Sequence, residues 1–172
     1  KTTVFHRLHG TGCPVCSSDL RVSFPEKAVY YYISSAFSGV EENYHTDWLG
    51  RFELDIAIPS LKLGIEYDGE MWHTDTDRDS RKDSLCLENG YTLIRIREAN
   101  CLPLESTSII YQMKNNKSDL PKAIQYVFDF ISEKGNLNKS HLNVDIERDR
   151  AEIAKLVGSG EYDDIQIEDG II

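Results

Sequence analysis

The sequence lacks any apolar run long enough to cross a membrane as a helix, and its start shows no signal-peptide pattern. Those absences lead to the expectation of a cytoplasmic, intracellular protein with no membrane partner. An initiator methionine is missing too: the chain begins at Lys1, which reads as a fragment or a trimmed form, with additional domains or protein partners beyond the termini. No internal repeat or low-complexity segment is present. Positive charge is scarce. There are 19 Lys and Arg against 29 Asp and Glu, a net charge of −10. That argues against a broad basic groove for nucleic acid. Much of the excess lies from His141 onward, where nine acids face three basic residues; this leaves only −4 for the rest of the chain. A bound cation inverts the local sign, so a nucleic acid would be met locally and with a metal.

Cysteine is also sparse, at four residues: Cys13, Cys16, Cys86 and Cys101. Cys13-Pro-Val-Cys16 forms a C-x-x-C knuckle preceded by Gly10 and Gly12. Inside a cell such a knuckle more often binds Zn²⁺ than forms a disulfide. A zinc site needs four ligands. His6 and His9 are close in sequence, Cys86 and Cys101 are distant, and no second knuckle has standard spacing. The expectation is a partial structural Zn²⁺ site at Cys13 and Cys16, completed before Lys1 or by a histidine; a metal-free turn is the alternative. A redox C-x-x-C would sit between a strand and a helix, which this start does not resemble. Cys86, between Leu85 and Leu87, reads as a small core residue.

What is present is enough for one ordinary domain and an appendage: 172 residues, 40% hydrophobic and 28% charged. The most informative stretch is Phe52–His73, FELDIAIPSLKLGIEYDGEMWH. Phe52, Leu54, Ile56 and Ile58 alternate with Glu53, Asp55 and Ala57; Leu61, Leu63, Ile65 and Tyr67 alternate with Lys62, Gly64, Glu66 and Asp68. Period-two alternation predicts a β-hairpin. A tight turn at Pro59-Ser60 would pair Ile58 with Leu61 and gather Asp55, Glu66 and Asp68 on the other face. Three clustered carboxylates repel one another unless a cation lies among them, which is the layout of a divalent-metal site suited to phosphate-ester hydrolysis. The plainer alternative is a solvated sheet face, which often carries Asp and Glu. Trp72 and His73 follow at once, adding a large aromatic and a base or ligand.

Around the hairpin, Ser23, Pro25 and Glu26 open a helix running to about Phe37. A strand at Asn43–Thr46 comes next. After the hairpin, Arg78–Asn89 reads as a helix and Tyr91–Arg97 as a strand, joined to the hairpin through a parallel crossover. A short strand at Ser108–Met113, an amphipathic helix at Ser118–Lys134 and a charged helix at Asp145–Val157 complete the pattern. The fold class expected is α/β, a mixed central β-sheet flanked by helices with a small zinc-knuckle segment at the N-terminus. The domains expected are a knuckle over 1–20, a core over 21–135, and a charged helix with acidic tail over 136–172.

This order, with Asp55 in one hairpin strand and Glu66/Asp68 in the next, resembles the restriction-endonuclease-like PD-(D/E)xK superfamily. GIEYDGEMWH and the following RDSRKDSLCLENGYTLIRIRE are similar to the very-short-patch repair endonucleases and to homing endonucleases with an E-D-H-D site, over roughly Ser23–Glu98. GTGCPVCS resembles the second half of a treble-clef zinc finger. The resemblance implies a DNA endonuclease that uses Mg²⁺ or Mn²⁺. Asp55 would be the principal metal ligand, with Asp68 binding metal or orienting water, and Glu66 a further ligand. His73 would act as general acid/base, and Glu26 would orient a water. Trp72 would wedge into a base stack. The superfamily's usual lysine is absent, because Asp68 holds its place in Glu66-x-Asp68.

Each assignment has a plainer counterpart. Glu26 completes a capping box, Trp72 packs on the crossover helix, and His73 is an ordinary histidine. Arg78, Arg81 and Lys82 either hold phosphate or pair with Asp79 and Asp83 on the helix surface. The rival function is a catalytically inactive nucleic-acid-binding or interaction module on the same fold. An enzyme acting on RNA is a third.

Overall fold

The computed structural model describes residues 23–70, 76–137 and 141–157. Helix α1 spans Phe24–Ala36. Ser23 Oγ caps it by accepting the Glu26 N–H at 3.3 Å, and Pro25 occupies its first turn, where a missing N–H costs nothing. Strand β1 is Glu41–Tyr44, two residues earlier than predicted. Strands β2 (Leu54–Ile58) and β3 (Leu63–Asp68) form the hairpin. Helix α2 (Thr76–Glu88) leads to β4 (Thr92–Arg97), β5 (Ile109–Gln112), α3 (Asn116–Lys134) and α4 (Ile146–Val157). Asn115 caps α3, which starts two residues before the expected Ser118, and its side chain accepts the Ser118 N–H at 2.9 Å. Among the described residues no helix is long and apolar enough to cross a membrane.

The five strands lie in the order β1-β2-β3-β4-β5. The β1/β2 and β2/β3 pairs are antiparallel, and the β3/β4 and β4/β5 pairs are parallel. This is the α/β class with a mixed, helix-flanked sheet, and α2 is the expected crossover between parallel strands. The hairpin turn differs from expectation. Pro59–Leu61 make one turn of 3-10 helix, Lys62 takes a left-handed conformation at φ 47°, and Ile58 pairs with Leu63. Proline holds φ near −65°, so it suits the start of a helical turn and not the positive-φ positions of a two-residue hairpin loop. The register moves by two residues, which keeps every side chain on its face. Asp55 now lies opposite Glu66 instead of Gly64.

One sheet face carries Ile56, Ile58, Leu63, Ile65, Ile94 and Ile96, packed beneath α1 and α3. The other face lies under α2. There Leu49, Phe52, Leu54, Ala57, Cys86 and Leu93 form a smaller apolar cluster beside a charged one. Helix α4 belongs to the segment expected, from its charge, to go with the acidic tail. Its Ile153 is fully buried in the main core, and Tyr32 donates to Asp149 Oδ2 at 2.7 Å. The charged surface of α4 is only its outer side, so the helix packs as part of the core.

Candidate active site

The site lies where β2 and β3 part. Their paired positions run from Ile58↔Leu63 to Ile56↔Ile65. At the next step side chains replace the backbone ladder: Asp55 Oδ2 accepts the Tyr67 N–H at 2.8 Å, and the Asp55 N–H donates to Glu66 Oε1 at 3.2 Å. These bonds hold the two carboxylates against each other at the split. Glu66 is almost completely buried and Asp55 half-buried. Burial, followed by the neighbouring Glu66 charge, pushes the Asp55 carboxyl well above the usual carboxylate range; Lys82 opposes that and Glu26 adds to it.

The positive charge comes from α2. Lys82 is 8% exposed, and its Nζ pairs with Glu66 Oε2. Burial alone would lower its pKa, but Glu66 and Asp55 outweigh that and raise it, so the amine stays an ammonium. Glu26 approaches from the first turn of α1. Its carboxyl is pushed up to about 7, first by burial. A hydrogen bond with the Ser23 backbone and the Lys27 charge work against this, while Glu42 and Glu66 add to it. Glu26 therefore completes the capping box and also faces the carboxylates.

Asp68 is linked to this group through Arg95, whose Nη1 also lies 3.8 Å from Glu66 Oε2. Asp68 Oδ1 accepts Arg95 Nη1 at 2.8 Å and its Oδ2 accepts Arg97 Nε at 3.0 Å. Arg95 is fully buried and forks onto Asp83 Oδ1, with Nε at 2.8 Å and Nη2 at 2.7 Å. Two arginines on one buried carboxylate make an ion network, so the structure engages both oxygens of Asp68, the expected further metal ligand, with guanidiniums. Lys82 and Asp83 likewise do not pair on the helix surface, since both turn inward. Trp72, His73, Cys13 and Cys16 lie outside the described residues. Arg78 and Arg81 are exposed, on the outer side of α2.

No family model, curated protein or solved structure matches the chain.

The chemistry therefore rests on the donor set itself. Among the described residues no group of three or more His, Cys, Asp or Glu side chains is arranged to hold a metal ion. Mg²⁺ asks for less: one or two carboxylates, with water and substrate phosphate completing its shell. Asp55 and Glu66 fit that requirement, with Glu26 close by.

A signal for Lys82 was present in the sequence. Asp79, Lys82, Asp83 and Cys86 recur at helical spacing, and all four are buried. In the strands Glu66 and Asp68 alternate with apolar residues, as do Arg95 and Arg97. Three elements thus each carry a charged stripe on one face, and such stripes are buried only against one another.

Proposed function

We propose that this chain is a Mg²⁺- or Mn²⁺-dependent DNA endonuclease of restriction-endonuclease-like type, with Asp55, Glu66 and Lys82 at its centre. The observation that carries this reading is the Lys82 ammonium set against two carboxylates fixed at a strand split. It supplies from a helix the positive charge missing from Glu66-x-Asp68. Asp55 and Glu66 would hold the divalent cation, which when bound neutralises phosphoryl charge and lowers the pKa of water. Lys82 would stabilise the negative charge growing on the phosphate oxygens. Glu26, tuned to about 7, would take a proton from the attacking water as its oxygen bonds to phosphorus. The P–O bond to the leaving 3′-oxygen breaks in the same displacement, with His73 proposed to protonate that oxygen.

Nicking of supercoiled plasmid in Mg²⁺, Mn²⁺ or EDTA tests the proposal, with Asp55→Asn and Lys82→Met as controls. Metal-dependent cutting that both variants lose is the expected result. Equal cutting by Asp55→Asn would show that the site is elsewhere. One observation favours the inactive binding module: the Lys82–Glu66 pair already engages one Glu66 oxygen. Absence of cutting on plasmid, single-stranded DNA and RNA would move the reading to that module.

A further inference from the structure

Strand β1 changes face partway along. Val40, just before it, packs against the main core, and Glu42 pairs with Lys27 of α1. Tyr44, two residues on, joins the smaller cluster on the α2 face, where its hydroxyl meets that of Tyr91 at 3.0 Å. A regular strand would put Glu42 and Tyr44 on one face, because side chains alternate with period two. The break is at Asn43, which stands between them at φ 48°. Of the three described non-glycine residues with positive φ, Asn43 alone lies inside a strand. Strand β2 changes face at the same step. Leu54 shares the α2-side cluster with Ala57, whereas Ile56 belongs to the main core. Strict alternation would keep Leu54 with Ile56. Glu42 lies opposite Ile56 and Tyr44 opposite Leu54, so Asn43 stands opposite Asp55.

We infer that Asn43 is a positioning residue for Asp55: its left-handed backbone lets β1 turn over together with β2 and so holds the Asp55 carboxylate against Glu66 at the strand split. Two strands stay paired through such a turnover only if both make it at the same place. The turn of β2 is also where its ladder to β3 gives way to the bond from the Tyr67 N–H to Asp55 Oδ2. The left-handed region is closed to most residues, most firmly to β-branched ones, and asparagine enters it more readily than other side chains. Asn43 is exposed and makes no side-chain hydrogen bond among the described residues. Its backbone conformation is therefore what it contributes. The bearing of this joint on cutting rests on the nuclease reading above; its bearing on where Asp55 sits does not.

Hydrogen exchange at the Tyr67 amide, which is bonded to Asp55 Oδ2, reads the placement of that carboxylate without any need for activity. It is followed by NMR on the full chain in wild type, Asn43→Gly, Asn43→Val and Asp55→Ala, with the β3/β4 ladder amides as the check of an intact sheet. Glycine enters the left-handed region freely and valine is held to the β region. Asn43→Gly is expected to keep Tyr67 protected, and Asn43→Val to let it exchange as fast as Asp55→Ala does. A plain edge-strand role predicts the reverse order, since valine suits strands and glycine weakens them. In plasmid nicking, Asn43→Val is expected to lose about a hundredfold in kcat with KM retained, as a misplaced catalytic group does, while Asn43→Gly cuts like wild type. If Asn43→Val does not fold, Asn43→Ala carries the same comparison. Protection of Tyr67 kept in the folded valine or alanine variant, or lost in Asn43→Gly, would overturn the joint and leave the nuclease reading standing. The expected exchange pattern in a wild type that cuts nothing would support the joint and overturn the nuclease reading.

Discussion

Lys82 is the residue on which both stability and chemistry turn. Its ammonium is the direct partner of the buried Glu66 carboxylate. Arg95 Nη1 lies 3.8 Å from the same Glu66 oxygen, beyond hydrogen-bond reach, so removing Lys82 leaves the buried carboxylate with only that distant cation, at a cost of up to about 3–5 kcal/mol. Lys82→Met is therefore expected to lower the urea midpoint strongly, and adding Glu66→Gln should recover most of the loss. If the double variant is as unstable as the single one, burial of the charge is not what Lys82 relieves. Asp55 predicts the opposite sign. Its carboxyl is held well above its usual range by burial and by Glu66, so at neutral pH the ionised form strains the native state. Asp55→Asn should melt at a higher temperature than wild type without divalent ions. It should also lose any Mg²⁺-induced rise, as ligand linkage requires. Thermal melts with and without Mg²⁺ check both statements.

At the scale of elements, packing explains what pattern reading could reach. The strands, the α2 crossover and the long α3 stripe were legible, because alternation and 3.6-residue periodicity are imposed by burial on one face. The faces of Asp55 and Glu66 were legible for the same reason. The hairpin turn was not, because Pro59 starts a helical turn that moves the register by two. Gly64 shows how closely that register is packed. A Cβ there would lie 2.9 Å from both Leu54 Cδ1 and Leu93 Cδ1. Gly64→Ala is expected to cost about 1–3 kcal/mol by overpacking, read from the denaturation midpoint, since both leucines must shift. Half of α4 is acidic or basic, and among those charges stands one fully buried residue, Ile153. Ile153→Ala should cost about 2–5 kcal/mol in the same assay. A neutral result would mean that α4 is not held by the core.

For the molecule as a whole, the site makes stability depend on pH. The Glu26 carboxyl rises from 4.5 to about 7 in the folded protein. The folded state then binds the proton more tightly than the unfolded chain. This contribution is fully present below pH 4.5 and is lost as pH rises to about 7. Across that window wild type should lose stability relative to Glu26→Gln, measured as the difference in melting temperature between the two proteins. Parallel curves would show that Glu26 does not titrate there.

The amino-acid sequence by itself determined the α/β class, the mixed sheet with its parallel crossover, and the face on which Asp55, Glu66 and Asp68 stand. Each follows from local periodicity, which a single strand or helix carries alone. Only the tertiary structure decided which charges meet. Asp68 went to Arg95 and Arg97, and Glu66 went to Lys82. Those pairings depend on strand register and on how α2 is rotated over the sheet. Both are set by side chains distant in sequence, which must bury their charges together or not at all.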